Sequence, residues 1–323
     1  MTAPAVSFII PVRNDAERLA HCLRSIAAGH GARGQHEVVV ADNGSTDGSA
    51  DVARAAGATV ISLPGVRLGE LRNRAVQAAR GAVLAFVDAD HEIGPEWVPA
   101  AIGVLADPQV AAVGAPCRPP SPPTWVQRLY DRLRRHPHAQ EDVSWLGSGN
   151  MAVRRSAFER VGGFDTSLET CEDVDLCRKL RAQGLRLVAD ARMHNVHFGD
   201  PRTLRHVFFG EMWRGRDNVR VSLRAPRTWR TLASAAIPVF NLAALAVAAA
   251  GLLSATATGL AVAAASAAAL VALMGLRASV MLDGASTRDF PRAFAVAAAY
   301  ELGRAFALTA RVGHSRRRRG ATA

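Results

Sequence analysis

Two aspartates one residue apart, Asp88 and Asp90, close an apolar run in the string "FVDADHEI". In a strand that spacing sets both carboxylates on one face, where they repel unless a cation joins them. Hard oxygen ligands beside a diphosphate suit Mg²⁺ or Mn²⁺, although a solvated acidic turn has the same composition. Further along, Glu169, Glu172, Asp173 and Asp175 gather at the start of a helix expected to run to about Ala182. A helix dipole favours acids in its first turn. Four of them exceed what capping requires, and crowding raises the pKa of some carboxylates, as suits a general base. Near the N-terminus, "PVRND" (Pro11–Asp15) and "ADNGSTDGS" (Ala41–Ser49) each follow an apolar run. Helix capping accounts for either string. A carboxylate placed like Asp42 also accepts from a nucleobase N–H or a ribose hydroxyl in dinucleotide folds. A polar, glycine-rich approach, Gly147–Asn150, precedes the run "MAVRR".

The elements that must position these groups alternate. Runs at 6–10, 37–41, 58–63, 82–87 and 110–114 are short and mostly β-branched or apolar, as buried strands are. Helical patterns lie between them near 15–28, 48–56, 68–80 and 95–106. That alternation predicts an α/β fold with a mostly parallel sheet and ligands at the carboxyl ends of its strands. The polar strings fall at those ends.

Composition narrows the class. With 49% hydrophobic and 21% charged residues the chain as a whole is not a disordered one. Cys22, Cys117, Cys171 and Cys177 have no CxxC spacing, which argues against a disulfide scaffold or a structural zinc site. The formal charge of +11 is almost all arginine, Lys179 being the only lysine, and no nucleic-acid reading motif accompanies it, so no nucleic-acid partner is expected. Between Thr231 and Leu276 there is no charged residue at all. That length nearly accommodates two crossings of a hydrocarbon core about 30 Å thick. The stretch Ser254–Gly259 divides it into a helical hairpin, roughly 236–253 and 258–276. A buried helical hairpin is the alternative. Arginines crowd both flanks and are missing from the middle turn, so the positive-inside bias puts the N-terminal domain in the cytoplasm at the inner (plasma) membrane. The N-terminus has no signal-peptide pattern. The segment 290–312 contains Arg292, Glu301, Arg304 and Arg311 and is expected to be an interfacial or packed helix. Two basic segments with apolar faces, 124–135 and 201–220, suit either an anionic membrane surface or packing on the sheet.

Taken in order, "FIIPVRND", "VVVADNGSTDGS", "LRNRA", "FVDADHEI", "GSGNMAVRRSAFERVGGFD" and "EDVDLCRKL" resemble the family 2 glycosyltransferases with the GT-A fold, of the membrane-anchored bacterial type. The resemblance covers roughly residues 5–200. It implies a Rossmann-like nucleotide-diphospho-sugar transferase domain followed by a C-terminal transmembrane hairpin. The expected division is 1–230, 231–276, and a cytoplasmic or interfacial helix with an arginine-rich tail over 277–323. It further implies an inverting transfer from a nucleotide-sugar, a UDP-sugar being the commonest donor type, to a saccharide or lipid-linked acceptor. Mn²⁺ or Mg²⁺ is the implied cofactor, and assembly of cell-surface polysaccharide or glycolipid the implied setting.

Residue by residue, the resemblance places Pro11, Arg13 and Asp15 beside the nucleoside, Asp42 on the base, and Arg72 and Asn73 in the donor pocket. Asp88 would contact ribose or metal, and Asp90 would ligate the metal. Asp173 matches the catalytic base, with Glu172 beside it. In "HNVHFGD", His197 and then His194 are candidates for a histidine near metal and diphosphate. Gly149, Asn150, Arg214 and Arg216 are expected on the acceptor or diphosphate side. "EMWRGRD" is not the QxxRW motif of processive synthases, which favours single-sugar transfer. The rivals are a membrane-anchored nucleotide-sugar binder without catalysis, a polysaccharide synthase, and a sugar nucleotidyltransferase. The last lacks its glycine-rich loop here, since "PVRND" stands in that place.

Overall fold

A computed structural model describes residues 4–29, 36–226, 228–282 and 287–319, with side chains described as far as residue 310. Arg227, the side chains of the four tail arginines at 316–319 and residues 320–323 lie outside that description. The chain divides into two compact units, one made of 1–121 with 134–200 and the other of 122–133 with 201–323.

The first unit begins β1 (Val6–Val12), α1 (Ala16–Gly29), β2 (His36–Asp42), α2 (Ser49–Ala55), β3 (Thr59–Ser62), α3 (Leu68–Ala78) and β4 (Val83–Val87). β5 (His91–Ile93), α4 (Trp97–Leu105) and β6 (Val110–Gly114) follow. The chain then gives α5 (Trp125–Asp131) to the second unit. It returns with β7 (Gln140–Asp142), β8 (Asn150–Arg154), α6 (Arg155–Arg160), α7 (Glu172–Ala182), β9 (Arg186–Asp190) and β10 (Asn195–His197).

Eight of these strands form one sheet in the order β3-β2-β1-β4-β8-β6-β9-β7. β1 is buried at every position, and burial on both faces explains why its sequence is apolar apart from Ser7. Phe8 and Ile10 join a core with Leu19, Ile26 and Trp97 from α1 and α4. Ile9 points the other way, into a core with Leu71, Phe158 and Leu176 from α3, α6 and α7. The strands from β3 through β1 to β4 are parallel, as the alternation of elements predicts.

β8 departs from that pattern. It lies antiparallel between β4 and β6, with Asn150 opposite Val87. Its entry loop, Gly147–Gly149, is therefore carried to the carboxyl end of β4, where Asp88 stands. A separate antiparallel ribbon pairs β5 with β10 and sets His197 opposite His91.

The second unit is helical. α5 opens with a capping box at Thr124, and α8 (Leu204–Arg214), α9 (Asn218–Arg224), α10 (Trp229–Ser254), α11 (Ala257–Met281) and α12 (Phe290–Arg319) complete it. Val126 and Leu129 of α5 pack with Val207, Met281 and Val296. α10 and α11 are long and apolar enough to cross a membrane, each with mean hydropathy 2.1 over its most apolar stretch. They form a hairpin whose turn places Ala255 at φ 52°, and they approach closely where Gly251 faces Gly259 and Ala263. Leu253, Val271 and Val280 stand exposed along the pair. α12 takes in the segment 290–312 and packs by Phe294, Ala298 and Leu302 against Ala244, Leu270 and Met274. Its buried Glu301 accepts from Asn241 Nδ2 (3.0 Å) and pairs with Arg277.

Candidate active site

β1 and β2 end side by side, and their loops are latched together. The Asn14 backbone N–H donates to Ser45 Oγ (3.0 Å), and the Thr46 N–H donates to Asn14 Oδ1 (2.8 Å). The Asp15 N–H donates to Ser49 Oγ (3.1 Å), and the Ala16 N–H to Asp47 Oδ2 (2.9 Å). Asn14 itself sits at φ 51°, a left-handed conformation that asparagine tolerates better than most residues. Asp42 is buried and accepts from the Ser45 N–H (3.0 Å). Pro11 is buried at the end of β1, whereas Arg13 is exposed. Asp15 accepts from Arg18 Nε (2.8 Å), and the same guanidinium reaches within 3.6 Å of Asp90.

The centre is organised by a buried arginine. Arg72, only 1% exposed, donates from Nη2 to Asp88 Oδ1 and from Nη1 to Glu172 Oε1, both at 2.7 Å. α3 thus ties the acid at the end of β4 to the acid at the start of α7. Burying a guanidinium is tolerable only when its donors are spent on carboxylates of this kind.

Next to Glu172, Asp173 accepts from the Ser148 N–H (3.3 Å) and the Val174 N–H (2.7 Å). Burial and the neighbouring Glu172 push its pKa up to about 7, only partly offset by those N–H groups and Arg72. On the other side of the same loop, a Cβ at Gly149 would meet Asp88 Oδ2 at 2.8 Å and His91 Cε1 at 2.7 Å. Asp173 and Asp88 therefore flank one three-residue loop.

Asp90, His91 and His197 offer ligand atoms that all lie within 4.8 Å of one another. His197 Nε2 is 3.2 Å from Asp90 Oδ2, and its Nδ1 is 2.8 Å from Asp200 Oδ1. Burial would lower the His197 pKa, but Asp200 and Asp90 raise it to about 9. Burial would raise that of Asp90, but His197, His91 and Arg18 hold it well below the usual carboxylate range. His91 is pushed down to about 4 by burial and by His197, so its ring is a neutral base at pH 7. A Cβ at Gly199 would collide with both Asp90 Oδ2 and His197 Nε2. The bare glycines 149 and 199 leave a cradle around the carboxylate and the two imidazoles, a donor set that fits a divalent cation.

Other expected site residues are engaged elsewhere. Both atoms of the Asn73 amide are taken by the backbone of Phe164, at 2.9 and 3.0 Å. Asn150 accepts from Trp97 Nε1 (2.6 Å) and donates to the carbonyls of Ala115 and Met193. Both asparagines hold the fold around the cleft rather than face it. His194 is exposed beside Gly94. Arg214 and Arg216 belong to the second unit, where Arg214 donates to Glu211 Oε1 (3.2 Å) and Tyr130 Oη (3.3 Å).

Sequence reasoning missed His91, Arg18, Asp200 and the Ser148 amide. His91 stands directly after the aspartate pair and Asp200 three residues after His197, so both were within the strings already singled out. Arg18 and the Ser148 N–H carry no residue-type signal; only their placement reveals them.

Residues 7–162 match the family described as Glycosyl transferase family 2. Among curated proteins, glycosyltransferase AglE of Haloferax volcanii is 29% identical over 197 residues, covering 58% of this chain and 64% of its own length. Validoxylamine A glucosyltransferase of Streptomyces hygroscopicus subsp. jinggangensis is 28% identical over 239 residues, covering 62% of this chain and 57% of its own. The chain thus spans less than two thirds of the length of these relatives. Among solved structures, the mannosyltransferase PcManGT of Pyrobaculum calidifontis, in complex with GDP-Man and Mn²⁺, superposes with a TM-score of 0.64 at 20% identity. That likeness covers 96% of this chain and 88% of the other, and shows a shared fold.

Proposed function

We propose that the chain, whose residues 7–162 match glycosyl transferase family 2, works as a member of that family and that its first unit moves a sugar from a nucleotide-sugar to an acceptor hydroxyl with inversion at the anomeric carbon. The observation that carries the reading is the bridge by Arg72 together with the loop 147–149. Between them they bring a carboxylate of raised pKa, Asp173, to the same cleft end as Asp88, Asp90 and His197.

Asp173 takes the proton of the acceptor hydroxyl as that oxygen bonds to the anomeric carbon. The bond from that carbon to the donor phosphate breaks on the opposite face, and the electron pair leaves with the nucleoside diphosphate. A pKa near the working pH lets a carboxylate be ionised before the step and basic enough to accept the proton in it. The Ser148 and Val174 N–H groups orient the Asp173 carboxylate. Arg72 keeps Glu172 paired so that Asp173 remains the group facing the acceptor. The nucleoside would lie along the latched β1 and β2 loops, with Asp42, Arg13 and Asp15 around it. Asp90, His91 and His197, with Asp88 beside them, would hold a divalent cation, which when bound supplies Lewis-acid neutralisation of the departing diphosphate. Two imidazoles among the donors favour Mn²⁺ over Mg²⁺.

The second unit supports a membrane setting: α10 and α11 present exposed apolar faces, and arginines lie before α10 and at the end of α11 but not in the turn between them. A lipid-linked acceptor fits a transferase anchored in this way, with the first unit on the cytoplasmic side. A screen of UDP- and GDP-sugars with Mn²⁺ on the detergent-purified full chain, with and without lipid extract, tests the reading through released nucleoside diphosphate. Release with at least one donor is expected, and its loss in Asp173→Asn with donor binding retained. Silence with every donor would overturn transferase activity, and undiminished release by Asp173→Asn would overturn the base.

A further inference from the structure

Asp200 lies where the chain leaves the first unit, and Arg134 lies where it re-enters that unit. Asp200 is buried, and its carboxylate receives both ends of the Arg134 fork, Nη1 to Oδ2 at 2.8 Å and Nη2 to Oδ1 at 2.5 Å. Arg134 Nη1 also donates to the carbonyl of Cys117 (2.9 Å), so three neighbouring strands of backbone are clasped around one carboxylate. The fork brings an N–H to each oxygen and so fixes the direction of that carboxylate, which meets His197 as a hydrogen-bond acceptor. Its Oδ1 stands 2.8 Å from His197 Nδ1, and the backbone N–H of His197 separately donates to the Arg118 carbonyl (2.8 Å).

We propose that Asp200, locked by Arg134, is the positioning residue for His197: it holds the proton on Nδ1 and aims Nε2 at the space beside Asp90 where a divalent cation binds. This rests on the metal site of the proposed function. A carboxylate behind a metal-bound imidazole fixes tautomer and ring direction, and removing one typically costs about 10–100-fold in metal affinity.

The test uses the detergent-purified full chain and Mn²⁺ alone, with affinity from titration and the imidazole nitrogen coupling to Mn²⁺ from electron spin-echo spectroscopy. The wild type should bind Mn²⁺ and show nitrogen couplings from His91 and His197, of which His197→Ala removes its own and leaves that of His91. Asp200→Ala should lose about 10–100-fold in affinity and the His197 coupling, with its circular dichroism unchanged. Asp200→Asn, which keeps an acceptor for Nδ1–H but not the charge that holds Arg134, should fall between. If Asp200→Ala does not fold, Asp200→Asn and Arg134→Gln decide by the same two readings. Variants that bind within twofold of wild type with the coupling intact would overturn the role of Asp200 and leave the metal site standing. A wild type that binds no Mn²⁺, or whose nitrogen couplings are all unchanged in His197→Ala, would overturn the metal reading and this role with it.

Discussion

Both units bury acidic side chains, but they use them in opposite ways. In the helical unit Glu211 accepts from Tyr130 Oη (2.6 Å) and Arg214 and lies 3.5 Å from Arg304, while Glu301 is held by Asn241 and Arg277. Both of these acids are matched by neighbouring arginines, and the contacts fix helix against helix. In the sheet unit the Arg72 bridge closes on Asp88 and Glu172, while Asp173, among the described residues, takes hydrogen bonds from backbone N–H groups only. The same residue types build structure where their charges are fully matched, and poise for chemistry where one is left short.

That contrast can be broken at several points. The largest effect is expected from Asp173→Asn, which removes the proposed base. Transfer should fall by about 10²–10⁴-fold, measured as nucleoside diphosphate release with donor binding checked separately. Retained transfer would mean that the unmatched acid has no chemical task.

Arg72→Met should come next. It leaves Glu172 and Asp88 buried without their partner, a loss of about 3–5 kcal/mol for a broken buried pair, read from thermal or denaturant unfolding. Unchanged stability would show that the bridge is not what holds the two acids in place.

In the helical unit, Glu301→Leu alone should destabilise by stranding Arg277, and Arg277→Met together with Glu301→Leu should recover most of the loss. A double variant no better than the single one would show that the two charges are not matched to each other.

A smaller effect is expected from Gly149→Ala, whose Cβ would press on Asp88 and His91. Mn²⁺ affinity should drop while the melting temperature stays near wild type.

The pH dependence sharpens the same comparison. Asp173 must be ionised to act, and its folded pKa is raised to about 7, so transfer should rise with pH through that value. A carboxyl raised in the folded state disfavours folding once it is ionised. Asp173→Asn should therefore melt higher than wild type at pH 8, with the difference vanishing toward pH 4. Equal melting at both pH values would show that Asp173 is not held in an unfavourable charged state.

Much of the site was legible because its signals are local. Asp88 with Asp90, the acids opening α7, and the two strand-end loops announce themselves by residue type and by place relative to apolar runs. His91 was passed over because a histidine beside two aspartates looks like any polar turn until β5 pairs with β10 and sets it against His197. Asn73 and Asn150 read as ligand-facing from the strings that contain them, yet Asn73 is taken by backbone groups and Asn150 by backbone carbonyls and the Trp97 indole, partners that no spacing in the sequence reveals. The segment 124–135 read as a basic amphipathic helix suited to a membrane surface or to packing on the sheet, and the packing of α5 with α8, α11 and α12 depends on a chain crossing that leaves no local mark.

The amino-acid sequence by itself determined the alternation of strands and helices, the acidic pairs at strand and helix ends, and the uncharged stretch of two helices, because each depends on neighbours within a few residues. Only the tertiary structure decided which acids are matched and which is left short. That outcome depends on an arginine 100 residues from Glu172 and on an antiparallel strand inserted beside β4. Charge balance in a low-dielectric interior is set by distance in space, and the chain does not record that distance in its order.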